Sequence, residues 1–419
     1  MHIAQVKTGF PPLRRAATSD QPSLTTEQAT DVLLGGAYRN AAQQALSQIS
    51  RAASPHIPKA GERLWTLADG RNIALRTDFR SVTATDLDTG KQLWTHHEFP
   101  ESFGGLRPLR PDRAGKTLAL TDAHHGVALI DGATGRVKSR IEPPLKGFIT
   151  ASEFTKEGLL LVGVQPSLPS GSKPLTRIFA YPEGATQPAW SLDLERSGID
   201  NAAPSPDGKK LYFSAHNDFK MHALDLESGQ IVWSKPVAHH CDPAVARDGS
   251  VILEGVAYDP ETHQQRWKVE GDFVSTPIED AQGQLYFGVG GELQCRRGDG
   301  GQLWSTRGSG KKWRFPPVIK DDAVFAMSSS DRGTQLHVLN RLTGEELAVS
   351  EPLGDVNRGF FQAGDRVYLG LKQGYVSMDL PTYSLAALAS QAADKNRPAE
   401  IVVGEDRLSV GGFELDILD

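Results

Sequence analysis

The sequence is poor in the residues on which disulfide-bonded and membrane-spanning proteins depend. Its 419 residues include 2 cysteines and 4 methionines, and aromatic residues make up 7% of the chain. Cys241 and Cys295 are widely separated, so we expect two reduced thiols rather than a disulfide framework. No apolar run reaches the roughly 18 residues of a transmembrane helix, and we therefore expect no membrane span.

Neither the net charge nor any catalytic motif of the sequence indicates a particular enzymatic activity. The chain carries 45 basic and 51 acidic residues, a net charge of -6 that argues against general nucleic-acid binding. Gly-x-Ser-x-Gly, His-Glu-x-x-His and the Walker phosphate loop are all missing from the sequence. No nucleophile is identified by motif, so the chain is predicted to be a non-enzyme.

What the sequence has instead is an internal repeat. The segment 84–94, ATDLDTGKQLW, returns as 223–233, ALDLESGQIVW. The shared frame is Ala-x-Asp-x-x-Thr/Ser-Gly-x-x-x-Trp, and partial copies occur elsewhere: Ala257, Asp259, Thr262 and Trp267; Asp131, Thr134 and Gly135; Asp299, Gly300 and Trp304; Thr343 and Gly344. A repeat with a period of tens of residues predicts a repeat architecture.

The residue types of the frame predict a β-hairpin that needs a neighbour. Alternating apolar residues flank a turn in which Asp and Thr can bond backbone amides and Gly takes a left-handed conformation. The Trp at a fixed distance after the turn is suited to packing between neighbouring sheets. Because most units also carry two strands upstream, we expect four-stranded antiparallel blades of an all-β propeller.

Turn and Trp positions give the number of blades. Outer strands are predicted near Trp94, Ser139, Trp190, Trp233, Trp267, Trp304, Ala348 and Ala387. These positions predict eight blades, with seven as the alternative, because residues 64–67 fit either the inner strand of the first blade or the outer strand of the last. The chain ends with a half-repeat at 413–419 whose missing half stands at 61–65. We therefore expect the N- and C-terminal strands to share a blade and close the ring.

The Ala-x-Asp-x-x-Thr-Gly-x-x-x-Trp repeat resembles the tryptophan-docking motif of pyrroloquinoline-quinone-type β-propellers, over about residues 61–419. That family includes quinoprotein alcohol dehydrogenases and a noncatalytic outer-membrane assembly lipoprotein of BamB type. A quinone enzyme of the family is expected to have adjacent cysteines and a Glu/Asn/Asp set for calcium. The sequence has no Cys-Cys pair, so no cofactor is expected, and a noncatalytic scaffold for a protein partner is favoured.

Residues 1–60 differ from the rest and are predicted to form a mobile leader with an amphipathic helix. Tyr38, Ala42, Ala45, Leu46 and Ile49 recur at one-face helical spacing. No signal peptide is apparent, so we expect a cytoplasmic location as synthesised. The leader also resembles the export region of bacterial type III secretion effectors, since no acidic residue precedes Asp20. Secretion by that route is the alternative.

One group of polar residues is not explained by the repeat. In an antiparallel four-stranded blade, the loops between strands two and three and those between blades open on the same face. This placement predicts a rim that carries His96, His97, His124, His125, His216, His239, His240, Lys311, Lys312 and Arg332. We expect a protein partner there, or an anionic ligand or acidic surface. A metal- or quinone-dependent oxidoreductase that uses these histidines is the alternative from another class.

Overall fold

A computed structural model gives the fold, and it describes most of residues 62–380, together with Arg39, Ala42, Gln43, Leu46, Pro58 and strand residues 402–403, 407–410 and 413–416. The gaps within 62–380 are 79–80, 98–106, 113–114, 123–125, 156–157, 168–174, 196–198, 216–218, 238–241, 272–274, 309–311, 314, 331–332, 364–365 and 373.

The chain is an all-β propeller of eight blades, and each blade is an antiparallel sheet whose strands follow one another in sequence. Blade 1 consists of Arg63–Thr66, Asn72–Thr77, Val82–Asp86 and Gln92–His96. Blade 2 consists of Arg107–Pro111, Thr117–Asp122, Gly126–Asp131 and Val137–Ile141. Blade 3 consists of Gly147–Phe154, Leu160–Pro166, Leu175–Tyr181 and Trp190–Glu195. Blade 4 consists of Ile199–Pro204, Lys210–Ala215, Lys220–Asp225 and Ile231–Pro236.

The strands of the second half of the ring vary more in length, from two residues to eight. Blade 5 consists of Ala244–Val245, Val251–Leu253, Val256–Tyr258 and Gln265–Lys268, and blade 6 of Ile278–Glu279, Gln284–Val289, Glu292–Arg297 and Gln302–Arg307. Blade 7 has two short strands in first position, Lys312–Trp313 and Val318–Lys320, followed by Ala323–Ser330, Gly333–Asn340 and Glu346–Val349. Blade 8 is described over Val356–Ala363, Arg366–Leu371 and Gly374–Asp379. A further sheet is formed by Val402–Val403, Arg407–Val410 and Phe413–Asp416.

The repeated turn is held by its own side chains, as the frame predicts. In blade 1, Asp86 Oδ1 accepts hydrogen bonds from the N–H of Thr89 at 2.7 Å and from its hydroxyl at 2.8 Å. Asp131, Asp225 and Asp259 do the same in blades 2, 4 and 5. The glycine that follows has a left-handed backbone, with a φ of 71° at Gly229. The turn aspartates thus serve the fold.

Each tryptophan of the frame packs on the turn of the next blade. Trp94 Nε1 donates to the carbonyl of Gly132 at 2.9 Å, and Trp190 Nε1 donates to that of Leu226 at 3.0 Å. Trp267 and Trp304 make the same bond to Gly298 and Arg341, each at 2.8 Å. The ring lies against the turn glycine, where an added Cβ would come within 2.5 Å of Trp190 at Gly229. At these boundaries, the tryptophan ring fills the space that the small glycine leaves open.

Blade 5 departs from the frame in a way the sequence did not reveal. His263 occupies the glycine position with a φ of 58°, and its ring stacks on Trp233 of blade 4 with 4.7 Å between ring centroids. Burial, followed by the positive charge of Lys210, lowers the pKa of His263 below its usual value. Stacking of the neutral imidazole here replaces the contact between tryptophan and glycine.

The ring is closed by packing between the first and last blades. Arg63–Thr66 pairs with Asn72–Thr77, so it is the inner strand of blade 1; a blade shared by this strand and Phe413–Asp416 is not formed among the described residues. The closing cluster contains Leu64, Ala74, Leu87 and Tyr368, with Phe361 and Tyr375 packed against it. Tyr375 also donates its hydroxyl to the carbonyl of Glu62 at 3.1 Å. The strand joins blade 1 because its partners lie next to it in sequence.

The leader is described at only a few positions, where Arg39, Ala42, Gln43 and Leu46 are helical. Tyr38, Ala45 and Ile49 of the predicted helical face lie outside the described residues, as does the predicted export region before Asp20. Among the residues that the structure describes, no helix is long and apolar enough to cross a membrane.

We predict that Gly229→Ala destabilises the protein more than Gly184→Ala. Both glycines have positive φ angles, 71° and 75°, so both substitutions cost about 1–2 kcal/mol of backbone strain. A Cβ at Gly184 meets nothing within 4 Å, whereas one at Gly229 strikes the Trp190 ring. The clash should add about 1–3 kcal/mol, measured as the difference between the unfolding free energies of the two variants. Equal losses would show that the docked ring is not closely packed.

A second prediction concerns the pH dependence of the contact between His263 and Trp233. Because the folded pKa of His263 is lowered, its unfolded form binds more protons between the two pKa values. The contribution of His263 to the stability of the folded protein is therefore fully present above the ordinary histidine pKa of about 6.5. It is lost as the pH falls from that value through the lower pKa of the folded protein. The urea midpoint of unfolding should fall more between pH 8 and pH 5.5 in the wild-type protein than in the His263→Asn variant. Asparagine is chosen because it tolerates the left-handed backbone at this position. The same fall in both proteins would rule out this linkage.

Candidate functional site

The antiparallel topology gives the propeller two distinct faces. The turn face carries the turns between first and second strands and between third and fourth strands. The rim face carries the loops between second and third strands and those that join blades. Of the predicted rim residues, His96, His97 and Lys312 are described; His124, His125, His216, His239, His240, Lys311 and Arg332 lie outside the described residues.

The two adjacent histidines of blade 1 differ in exposure. His96 ends the fourth strand opposite Val82, and its side chain is buried, whereas His97 is exposed. Successive residues at a strand end point to opposite sides, so His97 alone of this pair can meet a partner. Lys312 is likewise exposed beside the fully buried Trp313.

Three described cations of the rim face have carboxylate neighbours. Arg76 lies 3.3 Å from Asp78, and Lys372 lies 3.9 Å from Asp355. Arg307 lies 3.1 Å from Glu292, and its hydrogen bond lowers the pKa of that carboxyl. Such exposed pairs are individually weak, about 1 kcal/mol or less. Over its described part, the rim face is therefore mixed in charge rather than uniformly basic.

An exposed aromatic residue on the rim face was missed by the sequence reasoning. Phe219 lies in the loop before the third strand of blade 4, 54% exposed and with a φ of 52°. Its carbonyl accepts the N–H of Val237 at 2.9 Å, which anchors the backbone of the loop. Phe148 of the neighbouring blade is 37% exposed, near the rim end of its strand. The feature of the sequence that could have identified Phe219 is a phenylalanine in the otherwise polar segment 216–220, HNDFK.

The turn face has a polar cleft between blades 6 and 7, with a volume of about 650 Å³. Arg341 lines this cleft, 3.0 Å from Asp280 and 3.6 Å from Asp322. Asp280, with a side chain only 3% exposed, also accepts the Tyr286 hydroxyl at 2.9 Å. The Arg341 carbonyl is the acceptor for Trp304. These bonds join the two blades, so the buried charges serve the boundary and are not free to bind a ligand.

Neither a reactive cysteine nor a metal-binding cluster is found among the described residues. Cys295 is fully buried in blade 6, which raises the pKa of its thiol to about 11, and Cys241 lies outside the described residues. A thiol of this kind is a core residue rather than a nucleophile. No three His, Cys, Asp or Glu side chains in the described part of the chain are grouped so as to hold a metal ion.

Known proteins match the chain in its repeat region. Residues 176–381 match the family model described as outer membrane protein assembly factor BamB. None of the curated proteins matches significantly. The four aspartates of the repeat frame do not fit the donor set that the quinone enzymes of the resembled family imply, because their carboxylates are engaged in turns: Asp86, Asp131, Asp225 and Asp259.

Three solved structures illustrate the fold likeness. BamB from Moraxella catarrhalis is 17% identical, with a TM-score of 0.50 over 76% of this chain and 93% of that one. The computationally designed protein Ika8 is 15% identical, with a TM-score of 0.57 over 78% and 98%. Sqt1 from Saccharomyces cerevisiae is 11% identical, with a TM-score of 0.57 over 78% and 96%.

The repeated docking turn, the eight blades and the match of residues 176–381 agree with one another. By fold, the chain is an eight-bladed β-propeller, and over residues 176–381 it resembles outer membrane protein assembly factor BamB.

Proposed function

We propose that this propeller is a noncatalytic scaffold that binds a protein partner through its rim face. The exposure of Phe219 on an anchored rim loop carries the proposal. Aromatic side chains are enriched at the centres of protein interfaces, where a single ring can supply much of the binding free energy. A BamB-like propeller fold is consistent with a protein-interaction scaffold.

The contrast between the two faces supports this choice of surface. On the turn face, Asp86, Asp225 and their equivalents are bonded to backbone amides, and the carbonyls of the turns accept the tryptophans. The turn aspartates and these carbonyls of that face are thus engaged within the propeller. On the rim face, His97 and Lys312 are exposed next to buried neighbours. Exposed side chains on loops of a rigid scaffold are suited to recognition.

Substitution of Phe219 tests the surface directly. Proteins that copurify with the tagged chain from its own cells are identified by mass spectrometry, and binding of the purified partner is then measured. Phe219→Ala should weaken binding by roughly tenfold or more, the loss expected for a hot-spot aromatic. Leu342→Ala is the matched control, because Leu342 is 64% exposed but lies on the turn face. Equal effects of the two substitutions would contradict the proposal.

Charge reversal tests whether the partner is acidic where it meets the rim. Lys312→Glu should reduce the association rate several-fold at low salt, because it repels an acidic partner. Lys91→Glu, at an exposed position of a turn-face turn, is the control. A loss for Lys91→Glu but not for Lys312→Glu would place the partner on the other face. Stoichiometric transition metal in the purified protein would instead favour the alternative in which the rim histidines form a metal site.

A further inference from the structure

The tryptophan of the frame is missing from two described blades, blade 2, where Ser139 stands in its place, and blade 7. Trp94 pairs with Ala84 and Trp304 with Cys295, each just before a shift in strand register. Ala348 occupies the same place in blade 7, where it pairs with Val338 before the same shift. The methyl group of Ala348 has neither the apolar area of a tryptophan indole nor its N–H donor. The boundary between blades 7 and 8 therefore needs another group to fill it.

The leader helix supplies apolar side chains at this boundary. Ala42 is 0% exposed and belongs to one cluster with Leu347 of blade 7 and with Met378 and Leu380 of the chain around blade 8. Leu46 packs against the same cluster, as does Ala348. Ala42 and Leu46 are four residues apart and so share one face of the helix.

Two further contacts set the orientation of the helix. Arg39 forms an ion pair with Glu345, which directly follows Gly344 in the blade 7 turn. Gln43, next to Ala42, is exposed. One side of the helix thus faces the boundary between blades 7 and 8, and another side faces solvent. Since both members of the ion pair are about half exposed, apolar packing contributes more than charge to its attachment.

We infer that the boundary between blades 7 and 8 is a helix-binding groove, and that its occupant is the leader helix around Ala42, which takes the place of the missing tryptophan. The groove requires a small residue where Ala42 is enclosed and an aliphatic residue four positions later. The leader is consequently attached to the propeller through its helix as well as through the chain. This role is independent of partner binding at the rim face.

A pair of variants of the full chain tests the inference. Ala42→Glu places an unpaired charge among Leu347, Met378 and Leu380, so the helix should leave the groove. Hydrogen exchange in Glu346–Val349 and Gly374–Asp379 should then rise by about tenfold or more, with blade 4 unchanged. Gln43→Glu adds the same charge at the exposed neighbouring position and should exchange like wild type. Equal exchange in the two variants would overturn the inference.

A second variant keeps the test decisive if Ala42→Glu fails to fold. Ala348→Trp restores the residue of the repeat frame and should fill the groove from blade 7 itself. The leader helix should then be displaced and cleaved faster by protease, while exchange in Glu346–Val349 stays slow. Adding a synthetic peptide of residues 36–57 should slow exchange at this boundary in Ala42→Glu but leave Ala348→Trp unaffected. An unchanged cleavage rate in Ala348→Trp would contradict the replacement of tryptophan by the helix.

Discussion

The structure depends on the contact between the tryptophan of one blade and the turn of the next. A four-stranded blade cannot bury both of its faces alone, so each must be matched to its neighbours around a closed ring. The indole fills the space at the boundary, and its N–H satisfies a turn carbonyl, at 2.9 Å for Trp94 and Gly132. The aspartate of the turn holds that carbonyl in place through its bonds to backbone amides. Side chain, turn and boundary thus form one repeated unit.

Departures from this unit show what the boundary requires. Where blade 5 has His263 instead of glycine, a stacked imidazole keeps the contact with Trp233. Where blade 7 has Ala348 instead of tryptophan, residues of the leader helix lie in the same cluster. Between blades 6 and 7, the buried pair of Arg341 and Asp280 adds to the docked Trp304. At each of these boundaries, a different set of side chains occupies the space between the two blades.

The sequence was sufficient for the fold because the repeat is local. Its turn, its tryptophan and the outer strands could be predicted from spacing alone, and the eight blades are confirmed. The outer strand predicted near Ala387 lies outside the described residues. The placement of Arg63–Thr66 depended on which strand it pairs with, and local pattern does not determine that. Phe219 was missed because a phenylalanine next to a strand is usually a core residue. The exposure of Lys312 and the pairing of Arg76 with Asp78 follow from register and loop geometry, which composition does not specify.

The central claim is that the leader helix fills the boundary between blades 7 and 8, where Ala348 stands in place of tryptophan. Maleimide labelling of a cysteine introduced at position 42 tests it most directly, in a Cys241→Ser background. Cys295 can remain, because burial raises the pKa of its thiol to about 11. Slow labelling of the Ala42→Cys protein is predicted, because position 42 is enclosed, with much faster labelling of the Gln43→Cys protein at the exposed neighbouring position. Equal labelling rates in the two proteins would contradict the account.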